Sequence, residues 1–302
     1  MLFYMVIELI LWGIALIALI IGTITDIKYR EVPDWINYCL IFSGIGIRII
    51  YSLILFSIFP FLSGIAGLAV CAAIAYAMFY AGQWGGGDAK MLMGLGALIG
   101  LPVSFIFPYV SFSPFPLIIL FLINVLLIGA IYGIIYSIVL AFINRKDFLN
   151  NFKKRLFDKK MILIQKILMI SSVLLIIVCL IFLRDTTLLK LLLMLLILTY
   201  LSFYLLIFTK AVELSAMFKL VNPEKLTEGD WIAKDYIISG KKICGPKDLG
   251  ISKKQIKQLI AFKKKGKIDK IKIKQGIPFV PSFLLAFILS LSFGAWWISI
   301  FL

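Results

Sequence analysis

The sequence predicts an all-α integral membrane protein: a bundle of about eight transmembrane helices with a small basic cytoplasmic region. Three observations carry this prediction. The 302 residues are 62% hydrophobic with a mean hydropathy of +1.07, more apolar surface than a soluble domain of this length hides from water. Apolar runs recur at about 2–25, 35–58, 61–82, 89–110, 117–143, 161–183, 187–209 and 279–301. Each is close to the roughly 20 residues that a helix needs to cross hydrocarbon. The basic residues are also one-sided, since 27 of the 31 Lys and Arg fall in the connections 26–34, 83–90, 144–160 and 210–278. Eight spans place those four connections together, and the positive-inside rule makes that side cytoplasmic, with both termini opposite.

Taken in order, the first run reads as a span rather than a cleavable leader. No basic residue precedes it, it is too long for a signal-peptide core, and it lacks a small-x-small cleavage site. Helices are the expected form throughout, because lipid leaves backbone groups no other partner. Arg48 lies inside the second run and either snorkels to the surface or faces protein. The stretch from Leu101 to Pro116 holds four prolines, so the fourth helix is expected to break or end early. In 210–278, Ile256, Leu259 and Ile260 give 252–264 helical spacing, and 268–274 alternates as a short strand. Asn222-Pro223 and Ser239-Gly240 mark turns. About 65 residues with few aromatics make a marginal domain, which is expected to lean on the bundle. Its role is either a topological cap or a guide for substrate.

Composition removes several chemistries. The chain has no His, so Ser-His triads, His-ligated metals and His proton shuttles are excluded. Cys39, Cys71, Cys179 and Cys244 are scattered without a C-x-x-C pair, and no metal or cofactor is expected. The net charge of +16 reads as topology plus attraction to anionic lipid. No recognition motif accompanies it, so nucleic acid is not an expected partner.

The remaining chemistry belongs to acids at membrane depth. Glu8 lies eighteen residues before Asp26, about 27 Å along a helix, near the outer surface. Asp26 caps the inner end of the first helix, in DIKYREVPDW, and Asp88 opens the fourth, in QWGGGDAKM. Span counting alone therefore brings both carboxylates to the cytoplasmic rim. Each has a plain alternative: Asp88 as a helix cap, Asp26 as an interfacial partner of Lys28 or Arg30. Gly85, Gly86 and Gly87 exceed what a cap needs, and such a run permits close backbone approach and unusual torsions. Val32-Pro33 sets an extended turn that lets Asp34 cap the second helix.

Asp26-Ile27-Lys28-Tyr29-Arg30-Glu31-Val32-Pro33 resembles the first aspartate motif of the type IV prepilin peptidases, and Gly85-Gly86-Gly87-Asp88-Ala89-Lys90 resembles their G-x-G-D-x-K motif. Gly276-Ile277-Pro278-Phe279-Val280-Pro281 is similar to the family's Pro-Phe-x-Pro element. The region with Gly229-Asp230 and 251–274 looks like that of an archaeal branch, the preflagellin peptidases. The cysteine-paired loop of bacterial members is not matched, which puts methyltransferase activity in doubt.

The resemblance implies a membrane aspartic endopeptidase with Asp26 and Asp88 as its catalytic pair. It would cleave class III signal peptides of pilin-like or archaellin precursors after a short basic leader, at the cytoplasmic face of the cell membrane. The organisation expected is a catalytic core in 1–143, a basic loop with two further spans in 144–209, a cytoplasmic region in 210–278 and a last span in 279–302. Lys90 is expected to position Asp88 or substrate, unless it is a surface lysine. Glu31 and Asp34 are candidate readers of the basic leader, against plain roles as a surface ion partner and a helix cap. Without metal or His, one carboxylate would take a proton from water while the other, protonated, polarises the scissile carbonyl. Asp88 at a helix N-terminus is the expected ionised member. A transporter or proton-coupled carrier would also place acids in a bundle, but it should show polar residues at mid-depth and inverted-repeat halves. Neither is visible. A non-catalytic scaffold has no need of the triple glycine, and the Tyr-Asp motif of presenilin-like enzymes is missing.

Overall fold

The computed structural model describes residues 2–102, 115–182, 186–238 and 240–298. Among the described residues, six helices are long and apolar enough to span a bilayer: α1 (Leu2–Tyr29), α2 (Asp34–Ile54), α3 (Phe59–Tyr80), α5 (Leu117–Ile143), α7 (Lys159–Phe182) and α8 (Thr186–Val212). The expected count of eight includes two shorter helices, α4 (Gly86–Ile99) and α10 (Val280–Phe293), of 14 residues each. At about 1.5 Å per residue each is about 21 Å long, short of the ~30 Å hydrocarbon core. Between α5 and α7, the basic run 144–160 forms α6 (Arg145–Leu156) rather than a loop. The predicted spans at 89–110 and 279–301 run into residues 103–114 and 299–302, which lie outside the described residues, as does Ser239 of the predicted turn.

The early end of α4 has a visible cause. Gly100 takes φ 73°, and the backbone leaves the helix before Pro102. The carbonyls freed at that end are met from α2. Arg48 Nε donates to Ala97 O (3.1 Å), and Nη2 donates to Leu98 O (2.7 Å) and Ile99 O (2.9 Å). Arg48 is only 2% exposed and has Glu8 at 3.6 Å, so it faces protein and does not snorkel. Small residues let α4 approach its neighbours. A Cβ at Gly44 would fall 2.9 Å from the Ala97 backbone, and one at Gly94 would fall 2.6 Å from Leu40. Gly67 and Gly96 face each other across α3 and α4. The core that holds α4 continues through Leu11, Leu19, Leu40, Phe121, Phe283 and Phe287.

The region after α8 folds around its own core. Strands β1 (Phe218–Val221), β2 (Trp231–Ile232) and β5 (Ile271–Lys274) form an antiparallel sheet in the order β1-β5-β2, with Val221 opposite Ile271. Strands β3 (Tyr236–Ile238) and β4 (Lys241–Cys244) make a hairpin. Helix α9 (Lys253–Lys264) starts at Ser252, whose N–H donates to Gln255 Oε1 at 2.8 Å. Leu259, Ile271 and Ile273 are buried, as the predicted helix and strand spacings require. The region also leans on the bundle, with the Trp231 ring lying against Gly82 after α3. Together with Arg30 to Gly276, Lys90 to Asp34 and Phe148 to Phe208, this contact gathers the four basic connections at one end of the molecule.

Candidate active site

Asp26 stands in the last turn of α1, 5% exposed, and does not end the helix as expected. Its hydrogen-bond partner is a backbone group, although the Arg30 charge lies within electrostatic range. Asp26 Oδ2 accepts from the backbone N–H of Val280 at 3.0 Å, the first residue of α10. The N–H of Val280 is one of the donors that the start of α10 leaves without an intrahelical acceptor, at the positive end of the helix dipole. This partner, 254 residues away, left no signal around Asp26 in the sequence. Its trace is the Pro278-Phe279-Val280-Pro281 element itself.

Asp88 lies in the first turn of α4, half-buried, with Gly85 rather than Asp88 at the cap position. Its Oδ2 accepts from Gly85 N–H at 3.1 Å. Each carboxylate is thus held by a backbone donor at the start of a short helix. The two platforms are joined by aromatic packing. The Trp84 ring centroid is 5.4 Å from both Phe279 and Phe283, and Phe279 fills the space left by Gly129 on α5. Asp26 and Asp88 lie within electrostatic range of each other.

The glycine run is conformationally ordinary. None of Gly85, Gly86 or Gly87 has positive φ, and Gly85 is extended at φ −71° and ψ 164°. Close approach is real but local: a Cβ at Gly87 would sit 3.2 Å from Val32 Cβ, whereas at Gly86 the nearest atom is 3.9 Å away. The turn after α1 therefore packs directly on Gly87. Gly87→Val is expected to lower turnover at least about tenfold with a smaller loss of melting temperature, and Gly86→Ala to stay within about two-fold, the range of a surface substitution. Equal losses in the two variants would show that the run acts as a whole.

The other candidates separate. Lys90 Nζ reaches Asp34 Oδ1 at 2.6 Å and lies 5.8 Å from the Tyr38 ring centre, so it clamps α4 to α2 and does not contact Asp88. Pro33 holds the cap position of α2, and Asp34 is the first helical residue, engaged with Lys90. Glu31 is exposed and lies within electrostatic range of Asp230 in the region after α8. Burial, with a smaller contribution from the Glu31 charge, pushes the Asp230 carboxyl above its usual range against the Thr227 N–H that it accepts at 2.8 Å. Tyr132 and Tyr136 of α5, which sequence reading passed over, complete the surroundings: Tyr132 lies within electrostatic range of Asp26. Among the described residues, no group of three or more acids and cysteines is arranged to hold a metal ion.

Residues 13–137, which contain both aspartates, match the type IV leader peptidase family. A preflagellin peptidase of Methanococcus voltae is 33% identical over 166 residues, covering 52% of this chain and 66% of that protein. One from Methanococcus maripaludis is 38% identical over 86 residues, covering 28% and 37%, and one from Methanocaldococcus jannaschii is 33% identical over 108 residues, covering 33% and 46%. The chain thus spans between about a third and just under two thirds of these relatives' own lengths. No solved structure matches the chain. The stretch 13–137, over which the chain is similar to the type IV leader peptidase family, carries both aspartates and the glycine run.

Proposed function

We propose that this multi-pass membrane protein is an aspartic endopeptidase that removes the basic leader of preflagellin-like or prepilin-like precursors, with Asp26 and Asp88 as its acid–base pair. The observation that carries the reading is the pairing of two carboxylates from separate helices, each seated on a backbone N–H at the start of a short helix. In such a pair, water attacks the scissile carbonyl directly. One carboxylate takes a proton from the water, and the other, protonated, gives its proton to the carbonyl oxygen; as the resulting diol collapses, the first passes its proton to the leaving amine and the second recovers one from a diol hydroxyl. The carboxylates lie at the end of the bundle where the basic connections gather, which supports a cytoplasmic site. Co-expression with archaellin-like and pilin-like precursors, followed by N-terminal sequencing of the products, tests the reading and separates the two substrate types. Precursors left intact beside a folded, membrane-inserted chain would overturn it.

A basic leader must approach a basic face, so a local reversal of sign is needed at the mouth of the site. Glu31, exposed and with Asp230 close by, supplies it, while Asp34 is already neutralised by Lys90. Glu31→Lys is expected to raise KM several-fold for precursors whose leaders carry two or more lysines. The effect should shrink at high salt, because exposed charges are screened over about 8–10 Å at physiological ionic strength. Equal impairment on a neutralised leader would assign Glu31 to the fold instead.

A further inference from the structure

Arg30 follows α1 at φ 62°, a left-handed conformation that among the described non-glycine residues only Phe56 shares. The turn sends the guanidinium across the bundle end. Nη1 donates to the Gly276 carbonyl at 3.0 Å, Nη2 donates to the Tyr136 hydroxyl at 2.6 Å, and the group lies 5.6 Å from the Tyr136 ring centre. Gly276 lies four residues before Val280, whose N–H holds Asp26. The Arg30 charge is also within reach of Asp26 itself.

We propose that Arg30 is a positioning residue for Asp26. It binds the segment entering α10 to α5, so that Val280 N–H stays aimed at Asp26 Oδ2. This rests on the reading of Asp26 as one of the acid–base pair. A surface arginine that merely ends a helix has no need of this geometry. Glycine would take φ 62° without strain, and both acceptors belong to elements that surround Asp26. Planarity matters as well, since the guanidinium fork serves two acceptors in different directions while an ammonium is a point donor.

The test uses the full chain in detergent with Arg30→Gly, Arg30→Lys and Tyr136→Phe. Arg30→Gly relaxes the backbone turn while deleting the fork, and a loss there is not a strain effect. Expected are a fall in kcat of at least about tenfold with KM within two-fold, partial recovery in Arg30→Lys, and a smaller loss in Tyr136→Phe. Amide exchange over 278–283 should quicken at least about tenfold in Arg30→Gly while α1 keeps its protection. That second readout does not depend on activity. It separates this inference from the assignment of Asp26, which Asp26→Asn tests alone. Unchanged exchange over 278–283, or a loss confined to KM, overturns the positioning role. If Arg30→Gly does not fold, the exchange rate and kcat of Arg30→Lys decide in the same way.

Discussion

Under the proposed function, Asp26→Asn and Asp88→Asn are each expected to reduce turnover of a cleavable precursor by about 10²–10⁴-fold, the contribution typical of a positioned acid or base. Asparagine keeps the shape of the side chain, and its amide oxygen still accepts from Val280 N–H at position 26 or Gly85 N–H at position 88. The variants should therefore insert and elute as the wild type does. What they lose is the ability to exchange a proton with water or with the scissile carbonyl. Combining the two changes should add little if the two carboxylates work as one unit, as proposed. The measurement is turnover in detergent beside size-exclusion profile and melting temperature. Near wild-type turnover in either single variant would remove that residue from the pair.

The largest effect on stability is expected at Arg48. Its guanidinium is 2% exposed and donates to three successive carbonyls at the end of α4, with Glu8 at 3.6 Å. Arg48→Leu leaves those buried carbonyls without their donor and the Glu8 carboxylate without its charge partner, at a cost of about 3–5 kcal/mol. Glu8→Gln keeps a polar partner for Arg48 and lies some 27 Å from Asp26 along α1. It should cost much less stability and leave turnover largely unchanged. Thermal unfolding in detergent compares the two, and the pair Arg48→Leu with Glu8→Gln should be less unstable than the sum of the single changes. Additive losses would mean that Glu8 and Arg48 are not energetically coupled.

The sequence displayed the two aspartates clearly because each carries a local mark, a Val-Pro turn after Asp26 and a glycine run before Asp88. What holds those aspartates was hidden, since Val280 meets Asp26 through a backbone N–H, and a backbone donor has no residue signature. Lys90 was legible as part of a motif, but its choice of Asp34 depends on how closely α2 and α4 approach. The bundle was legible in kind and not in number. Hydropathy continues past Ile99, whereas the helix stops there because Gly100 turns and Arg48 supplies donors from another helix. In the region after α8, α9 and β5 announced themselves by spacing. Strands β2 and β3 have only two and three residues, and β1 (FKLV) and β4 (KKIC), although as long as β5, do not alternate.

The shortness of α4 has a consequence for the bilayer. Helices that span hydrocarbon tilt as its thickness changes, and groups near their ends ride with them. Helix α4 is about 21 Å long, enclosed along most of its length, and moored at its C-terminal end by Arg48. Asp88 thus stands on a post whose foot is a protein side chain, not a lipid boundary. Asp26, although carried by a spanning helix, is tied to α10, the other short post. The height of the carboxylate pair is set inside the protein, and the surrounding membrane can thin or thicken without carrying one acid past the other.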